Sequence, residues 1–212
     1  MEYDWMPITG EFIKEKDHIV FKGKKKEYQG QAGTVVGAEL GELIFNKYFS
    51  GGKITATVEF VEISESSSCE LIIHYSSAPP DLRVLSVGFT SPIFMFDIRE
   101  YNDNKWNFIA FSGDRRNLKP NKRYILEVTL KGSKISLKVD GINVLSANLP
   151  FSLPQSQVGV WCQDYKDIRI YDFSVETMQP KAFVVMEFSG HFNEYRCAQL
   201  FPSSVFTTFL LV

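Results

Sequence analysis

Apolar and polar residues alternate with a period of two through most of the first 176 positions. In ITATVEF, residues 54–60, Ile54, Ala56, Val58 and Phe60 fall on one face, the pattern of a half-buried strand. CELIIHY, residues 69–75, places Cys69, Leu71, Ile73 and Tyr75 together and predicts His74 on the solvent side. Two further apolar runs, 84–89 and 93–99, flank Thr90-Ser91-Pro92. WNFIAF, residues 106–111, lies between Asp103-Asn104 and Ser112-Gly113-Asp114. The clearest alternation is Tyr124, Leu126, Val128 and Leu130, then a turn at 131–134, then Ile135, Leu137 and Val139. Asp140-Gly141 follows, a pair that tolerates positive φ at both central positions of a hairpin turn. Residues 144–145, 158–162 and 168–175 supply three more strands. In the last, the apolar phase slips between Ile170 and Phe173, which predicts a bulge near Tyr171-Asp172.

No amphipathic helix is expected before residue 178. Strands every 8–12 residues with Gly, Pro and Asn-Asp punctuation predict an all-β, antiparallel two-sheet jelly-roll sandwich of roughly a dozen strands. Pattern and composition change after Met178-Gln179-Pro180. KAFVVMEFS, residues 181–189, is a continuous apolar run, as in a strand covered on both faces. The expected organisation is a jelly-roll domain over 1–178, followed by a short incomplete α/β fragment over 179–212.

Composition narrows the function classes. A net charge of −2 argues against a dedicated nucleic-acid binder, which needs a basic excess. The run KGKKK, residues 22–26, lacks interleaved aromatics and reads as a solvated hairpin turn whose lysines guard an edge. No stretch of about 18 apolar residues occurs, so no membrane partner is expected. The N-terminal residues carry no secretory signal pattern. The three cysteines, Cys69, Cys162 and Cys197, have no metal or redox spacing; with the missing signal they point to free thiols in the cytoplasm.

YILEVTLKGSKISLKVDGINVL and QVGVWCQDYKDIRIYDFSV resemble the concanavalin A-like lectin/glucanase superfamily, which includes laminin-G-like domains. The shared pattern is strand, short Gly turn, strand ending in Asp-Gly, Gly-Val-Trp strand, and a final Ile-x-Ile-x-x-Phe-x-Val strand. The resemblance spans roughly residues 5–176. It implies the fold, and it leaves lectin, glycosidase and structural roles open. A shorter resemblance, KAFVVMEFSGHFNE, is to the first strand and loop of nucleoside deoxyribosyltransferase-like or TIR-like domains; the pattern breaks after Glu194, which reads as a truncated domain.

Candidate chemistry is sparse. Catalytic members of the larger superfamily that resemble laminarinases carry Glu-x-Asp-x-x-Glu on one strand, and this chain has no such spacing; Asp97 and Glu100 fall on opposite faces. His18, His74 and His191 are scattered. Asp164 with Asp167, and Asp103 with Asp114, offer loop oxygens but no calcium-binding ladder, so neither metal nor cofactor is expected. Trp161 faces away from Val158, Val160 and Cys162 and is expected on the concave face of a sheet. With Gln163, Asp164 and Tyr165 it forms a candidate carbohydrate site; Trp106 with Asn104 and Arg99 forms a second. The expected function is a non-catalytic binding module for a glycan or another cellular ligand. The alternatives are a glycoside hydrolase-like enzyme and a scaffold without a small ligand.

Overall fold

A computed structural model describes residues 4–30, 33–77, 82–90, 93–103 and 105–178. The chain divides into two units after Met178, and the described residues all belong to the first. The apolar run and the deoxyribosyltransferase-like segment predicted over 181–194 lie outside the described residues, as does Asn104.

Fifteen strands are described and no α-helix, only a 3₁₀ turn at Arg115–Asn117. In chain order they are β1 (Trp5–Thr9), β2 (Phe12–Lys14), β3 (His18–Phe21), β4 (Lys25–Gly30), β5 (Gly33–Phe49), β6 (Gly52–Phe60), β7 (Ser68–Ser76), β8 (Arg83–Phe89), β9 (Phe94–Asn102), β10 (Lys105–Asp114), β11 (Arg123–Lys131), β12 (Lys134–Val139), β13 (Ile142–Asn148), β14 (Ser156–Asp164) and β15 (Ile168–Thr177). They form two antiparallel sheets, as the alternation predicts. The larger runs β1-β5-β14-β7-β8-β9-β10, with β4 added to β5; the smaller runs β13-β12-β11-β6-β15-β3-β2. The fold is an antiparallel two-sheet jelly-roll sandwich.

One hydrophobic core fills the space between the sheets. The smaller sheet gives it Ile54, Ala56, Val58, Phe60, Leu126, Val128, Ile135 and Leu137; the larger gives Leu43, Leu71, Val87, Ile98, Val158 and Val160. Burying such side chains contributes about 1.5–3 kcal/mol each, and it is available only while the period of two holds in phase. At the far edge the sheets touch: Ser112 on β10 donates to the Val144 carbonyl on β13 at 2.7 Å.

The turn and bulge chemistry appears where predicted. Asp140 and Gly141 both take positive φ, 50° and 80°. Between β15 and β6 the register shifts from Tyr171 to Ser174, with Asp172 at φ 52°. A second bulge corrects an expectation. The β7–β8 register shifts between Ile72 and His74, so His74 pairs with the core residue Leu85 and Tyr75 with Val84 on the other side. The phase flip turns Tyr75 to the outer face and removes His74 from solvent, leaving it 3% exposed.

The basic run is also not a hairpin turn. Residues 22–24 cross from β3 in the smaller sheet to β4 in the larger. Three of the run's four lysines are paired along this corner: Lys22 with Asp167, Lys24 with Glu11 at 3.2 Å, Lys26 with Glu39 at 2.8 Å. Backbone bonds hold the same corner: the Lys22 N–H donates to the Glu11 carbonyl at 2.9 Å, and the Glu39 N–H donates to the Lys24 carbonyl at 2.8 Å.

Candidate functional site on the outer face of the larger sheet

The outer face of the larger sheet carries its own apolar cluster, Ile44, Ile72, Tyr75, Val84 and Trp161, with Leu40, Tyr101 and Trp106 packed on it. Register arranges this face in rows across the strands. One row is Tyr48 (β5), Gln157 (β14), Tyr75 (β7), Val84 (β8), Tyr101 (β9) and Trp106 (β10). The next is Ile44, Gly159, Ile72, Ser86, Arg99 and Phe108; the third is Glu42, Trp161, Glu70, Gly88, Asp97 and Phe111. Strands lie about 4.8 Å apart, so each six-strand row spans roughly 24 Å.

Two patches that are separate in sequence meet here. The Arg99 guanidinium lies 4.2 Å from the Trp106 ring centre and 4.3 Å from that of Trp161. The two indoles stand 5.7 Å apart at 70°. Arg99 is fixed from below: its Nε donates to Glu70 Oε2 at 2.9 Å, its Nη2 donates to Glu70 Oε1, and the Ser86 hydroxyl also donates to Glu70. A fork on a carboxylate whose guanidinium also contacts two edge-to-face indoles is a rigid arrangement. It holds Trp106 in place without a neighbouring strand beyond β10.

The remaining candidates are placed as follows. Trp161 lies on the outer face rather than between the sheets, but it is 5% exposed because Arg99 and Trp106 cover it. Gln163 shares its face and is partly exposed. Asp164 points the other way and is fully buried; its Oδ1 accepts from the Ser64 hydroxyl and from the backbone N–H of Tyr165. Asp164 therefore shapes the loop, and Tyr165 follows it half-buried. The loop aspartates weighed as calcium ligands have other partners: Asp114 pairs with Arg116 and Asp167 with Lys22. Among the described residues no cluster of three or more His, Cys, Asp or Glu is arranged to hold a metal.

Sequence reasoning missed Glu42, Glu70, Tyr48, Tyr75 and Tyr101, because they come together only through pairing of different strands. Three carboxyls share the third row. Burial raises the Glu42 carboxyl above its ordinary range. Burial, reinforced by the nearby Glu70 charge and opposed by Arg99, pushes Asp97 up to about 8. Glycoside hydrolysis needs two carboxyls that both reach the scissile bond. Glu70 and Asp97 are each 0% exposed, and Glu70 is held by Arg99. Only Glu42 reaches the surface.

A cleft of about 770 Å³ lies elsewhere, lined by Ile63, Phe94, Arg115 and Leu118 among others. Its central cation is spent on structure: Arg115 donates to the carbonyls of Thr90, Ser64 and Ser67.

No protein-family model matches the chain, and no curated protein matches it. Solved structures do. The carbohydrate binding module CBM66 from Bacillus subtilis superposes with a TM-score of 0.62 at 11% identity, over 80% of this chain and 93% of that one. A β-1,3-1,4-glucanase (lichenase) from a mouse hindgut metagenome gives 0.56 at 11% identity, over 82% and 92%. The laminarinase catalytic domain of Thermotoga maritima gives 0.54 at 10% identity, over 84% and 94%. These neighbours share the jelly-roll fold that the larger resemblance implies. None supports the deoxyribosyltransferase-like resemblance of the tail.

Proposed function

We propose that the chain is a non-catalytic glycan-binding module whose ligand lies on the outer face of the larger sheet. The observation that carries this reading is Trp106, half-exposed and clamped on Arg99 above Trp161. Sugars present C–H faces to aromatic rings, and a ring fixed before binding loses little entropy on contact. Tyr101 beside Trp106, ring centres 5.3 Å apart, widens the platform. Glu42 and Gln163, on the same face as Trp161, offer groups for hydroxyls. A binding module and glycosidases of one fold are both among the neighbours; burial of Glu70 and Asp97 supports the binding reading over catalysis.

A hydrolase is the second reading, favoured by one observation: Glu42 is a partly exposed carboxyl with a raised pKa, the condition of a general acid. Calorimetric titration with β-1,3-1,4-glucan and a panel of neutral and uronic-acid polysaccharides separates the two. Saturable binding without release of reducing ends is expected. Trp106→Ala weakens it by about 1–3 kcal/mol, the scale of aromatic stacking on a flat ligand. Unchanged affinity in Trp106→Ala removes the binding reading. Sustained release of reducing ends that stops in Glu42→Gln establishes the hydrolase.

A further inference from the structure

The aromatic row ends at Tyr48, at the edge of a second cleft that neither the platform nor the core uses. It has a volume of about 310 Å³ and lies where β5 and β7 end and β14 begins. That is the small end of the usual range for ligand sites, about 300–1,000 Å³. Tyr48 is 60% exposed at its rim, and Gln155, Gln157 and Ser76 line it. His74 lines it from the buried side. Its Nδ1 has no hydrogen-bond partner among the described residues, although the side chain is 3% exposed.

We infer that this cleft is a second binding subsite, for one uncharged sugar ring of the glycan that crosses the outer face. Three observations converge. First, none of the lining residues carries a formal charge at neutral pH. Burial, followed by the nearby Arg83, lowers the His74 pKa, which favours the neutral ring. A charged sugar would meet no charged group among the lining residues, whereas hydroxyls would find amides, a serine and an imidazole nitrogen able to accept. Second, a buried nitrogen without a partner is costly, about 1–3 kcal/mol, and a ligand hydroxyl that donates to it recovers that loss. Third, the cleft and the platform are continuous. Tyr75 lines the cleft and also belongs to the outer-face cluster with Trp161. Tyr48, Gln157, Tyr75, Val84, Tyr101 and Trp106 are direct register partners across six strands. A linear oligosaccharide laid on Trp106 and Tyr101 and running across the strands arrives at Tyr48. The ring face of Tyr48 stacks its last unit while the hydroxyls turn inward to Gln155, Gln157 and His74.

The inference rests on the glycan reading of the outer face, and the test keeps the two apart. The imidazole and indole signals of the full chain are followed by NMR, with His74 and Trp106 identified from His74→Gln and Trp106→Phe spectra. The added probes are glucose and the tri- and hexasaccharides of β-1,3-1,4-glucan. The expected result is that the trisaccharide shifts Trp106, and the hexasaccharide shifts both Trp106 and His74. Tyr48→Ala then abolishes the His74 shift, leaves the Trp106 shift in place, and weakens hexasaccharide affinity at least fivefold with little change for the trisaccharide. If the hexasaccharide moves Trp106 and leaves His74 still, the cleft assignment is wrong and the platform stands. If glucose or the hexasaccharide moves His74 alone, the cleft binds sugar and the platform reading falls. If neither signal moves with any probe, both readings are overturned.

Discussion

Arg99→Met is the sharpest perturbation of the outer face, because one side chain there holds both a buried carboxylate and two indoles. Methionine keeps the length and apolar bulk of the stem and deletes the guanidinium. Glu70, fully buried, then loses the bonds from Nε and Nη2 and keeps only the Ser86 hydroxyl. Removing one partner of a buried ion pair costs about 3–5 kcal/mol, since the other charge remains buried and unpaired. Loss of the stacked cation adds about 0.5–2 kcal/mol. At about 2–4 °C per kcal/mol for a domain of this size, Tm falls by roughly 7–28 °C. All three tryptophans, Trp5, Trp106 and Trp161, lie in the described unit, so urea unfolding of the full chain followed by tryptophan fluorescence reports on it. The control is Arg99→Met with Glu70→Gln, which removes the stranded charge. Most of the stability returns, with a coupling energy of at least about 2 kcal/mol between the two sites. An Arg99→Met protein within about 1 kcal/mol of the parent would falsify the account, because it would mean that water or another group already neutralises Glu70.

Three other outcomes follow from buried groups and close backbones. Asp97 has a folded-state pKa near 8 against an ordinary value of 3.8, so the folded chain retains a proton that the unfolded chain releases between those values. The Asp97 contribution to stability is fullest below pH 3.8 and is lost as pH rises towards 8, by up to about 1.4 kcal/mol per pH unit. Asp97→Asn flattens that dependence in urea midpoints taken from pH 5 to 8, and equal slopes for parent and variant count against the assignment. Gly159→Ala places a Cβ onto the Leu43 carbonyl oxygen, a backbone atom fixed by the β5–β14 ladder, so the variant loses about 1–3 kcal/mol; a stability gain refutes it. Cys69 and Cys162 face each other across β7 and β14 with their sulfurs 3.8 Å apart, both fully buried, and burial raises the Cys162 thiol well above its ordinary range. Neither reacts with an aromatic disulfide reagent until the protein unfolds, and fast modification of either in native buffer contradicts this.

The fold was legible because its evidence is local. Tyr124 to Leu130 and Ile135 to Val139 alternate without interruption, and Asp140-Gly141 names its own turn; strand, turn and strand are encoded within sixteen consecutive residues, 124–139. The bulge at Asp172 was legible for the same reason, since Ile170 and Phe173 are both apolar and an odd spacing separates them. The bulge at Ile72–His74 was not. Cys69, Leu71, Ile73 and Tyr75 alternate correctly in sequence, and tyrosine suits a core or an outer face equally well. Only the partner strand reveals the slip, because Leu85 faces the core and meets His74 rather than Ile73. The corner at residues 22–26 is ambiguous in sequence because lysines next to glycine suit a turn and a crossover alike, and the choice depends on Glu11 and Asp167, which lie between strands, and on Glu39 of β5.

The candidate site follows the opposite logic, and this bears on the chemistry it can offer. A glycosidase that carries its carboxyls on one strand writes its chemistry along the sequence, and the missing motif there is informative. Here the carboxyls, aromatics and arginine are written across the sheet: Glu42, Trp161, Glu70 and Asp97 come from four strands, as do Tyr48, Tyr75, Tyr101 and Trp106. Groups in a cross-strand row are spaced by the strand separation, about 4.8 Å or a multiple of it. Glu42 and Glu70 sit two strands apart with Trp161 between them, at roughly 9.6 Å by that spacing. That is at the upper limit of about 6.5–9.5 Å for an inverting pair, and far beyond the roughly 5 Å of a retaining one. In this register Trp161 stands between the strands that carry Glu42 and Glu70. Of the three carboxyls in this row Glu42 is partly exposed, whereas Glu70 and Asp97 are fully buried, so the row presents rings and one carboxyl to a ligand, where cleavage by a carboxyl pair needs two within reach.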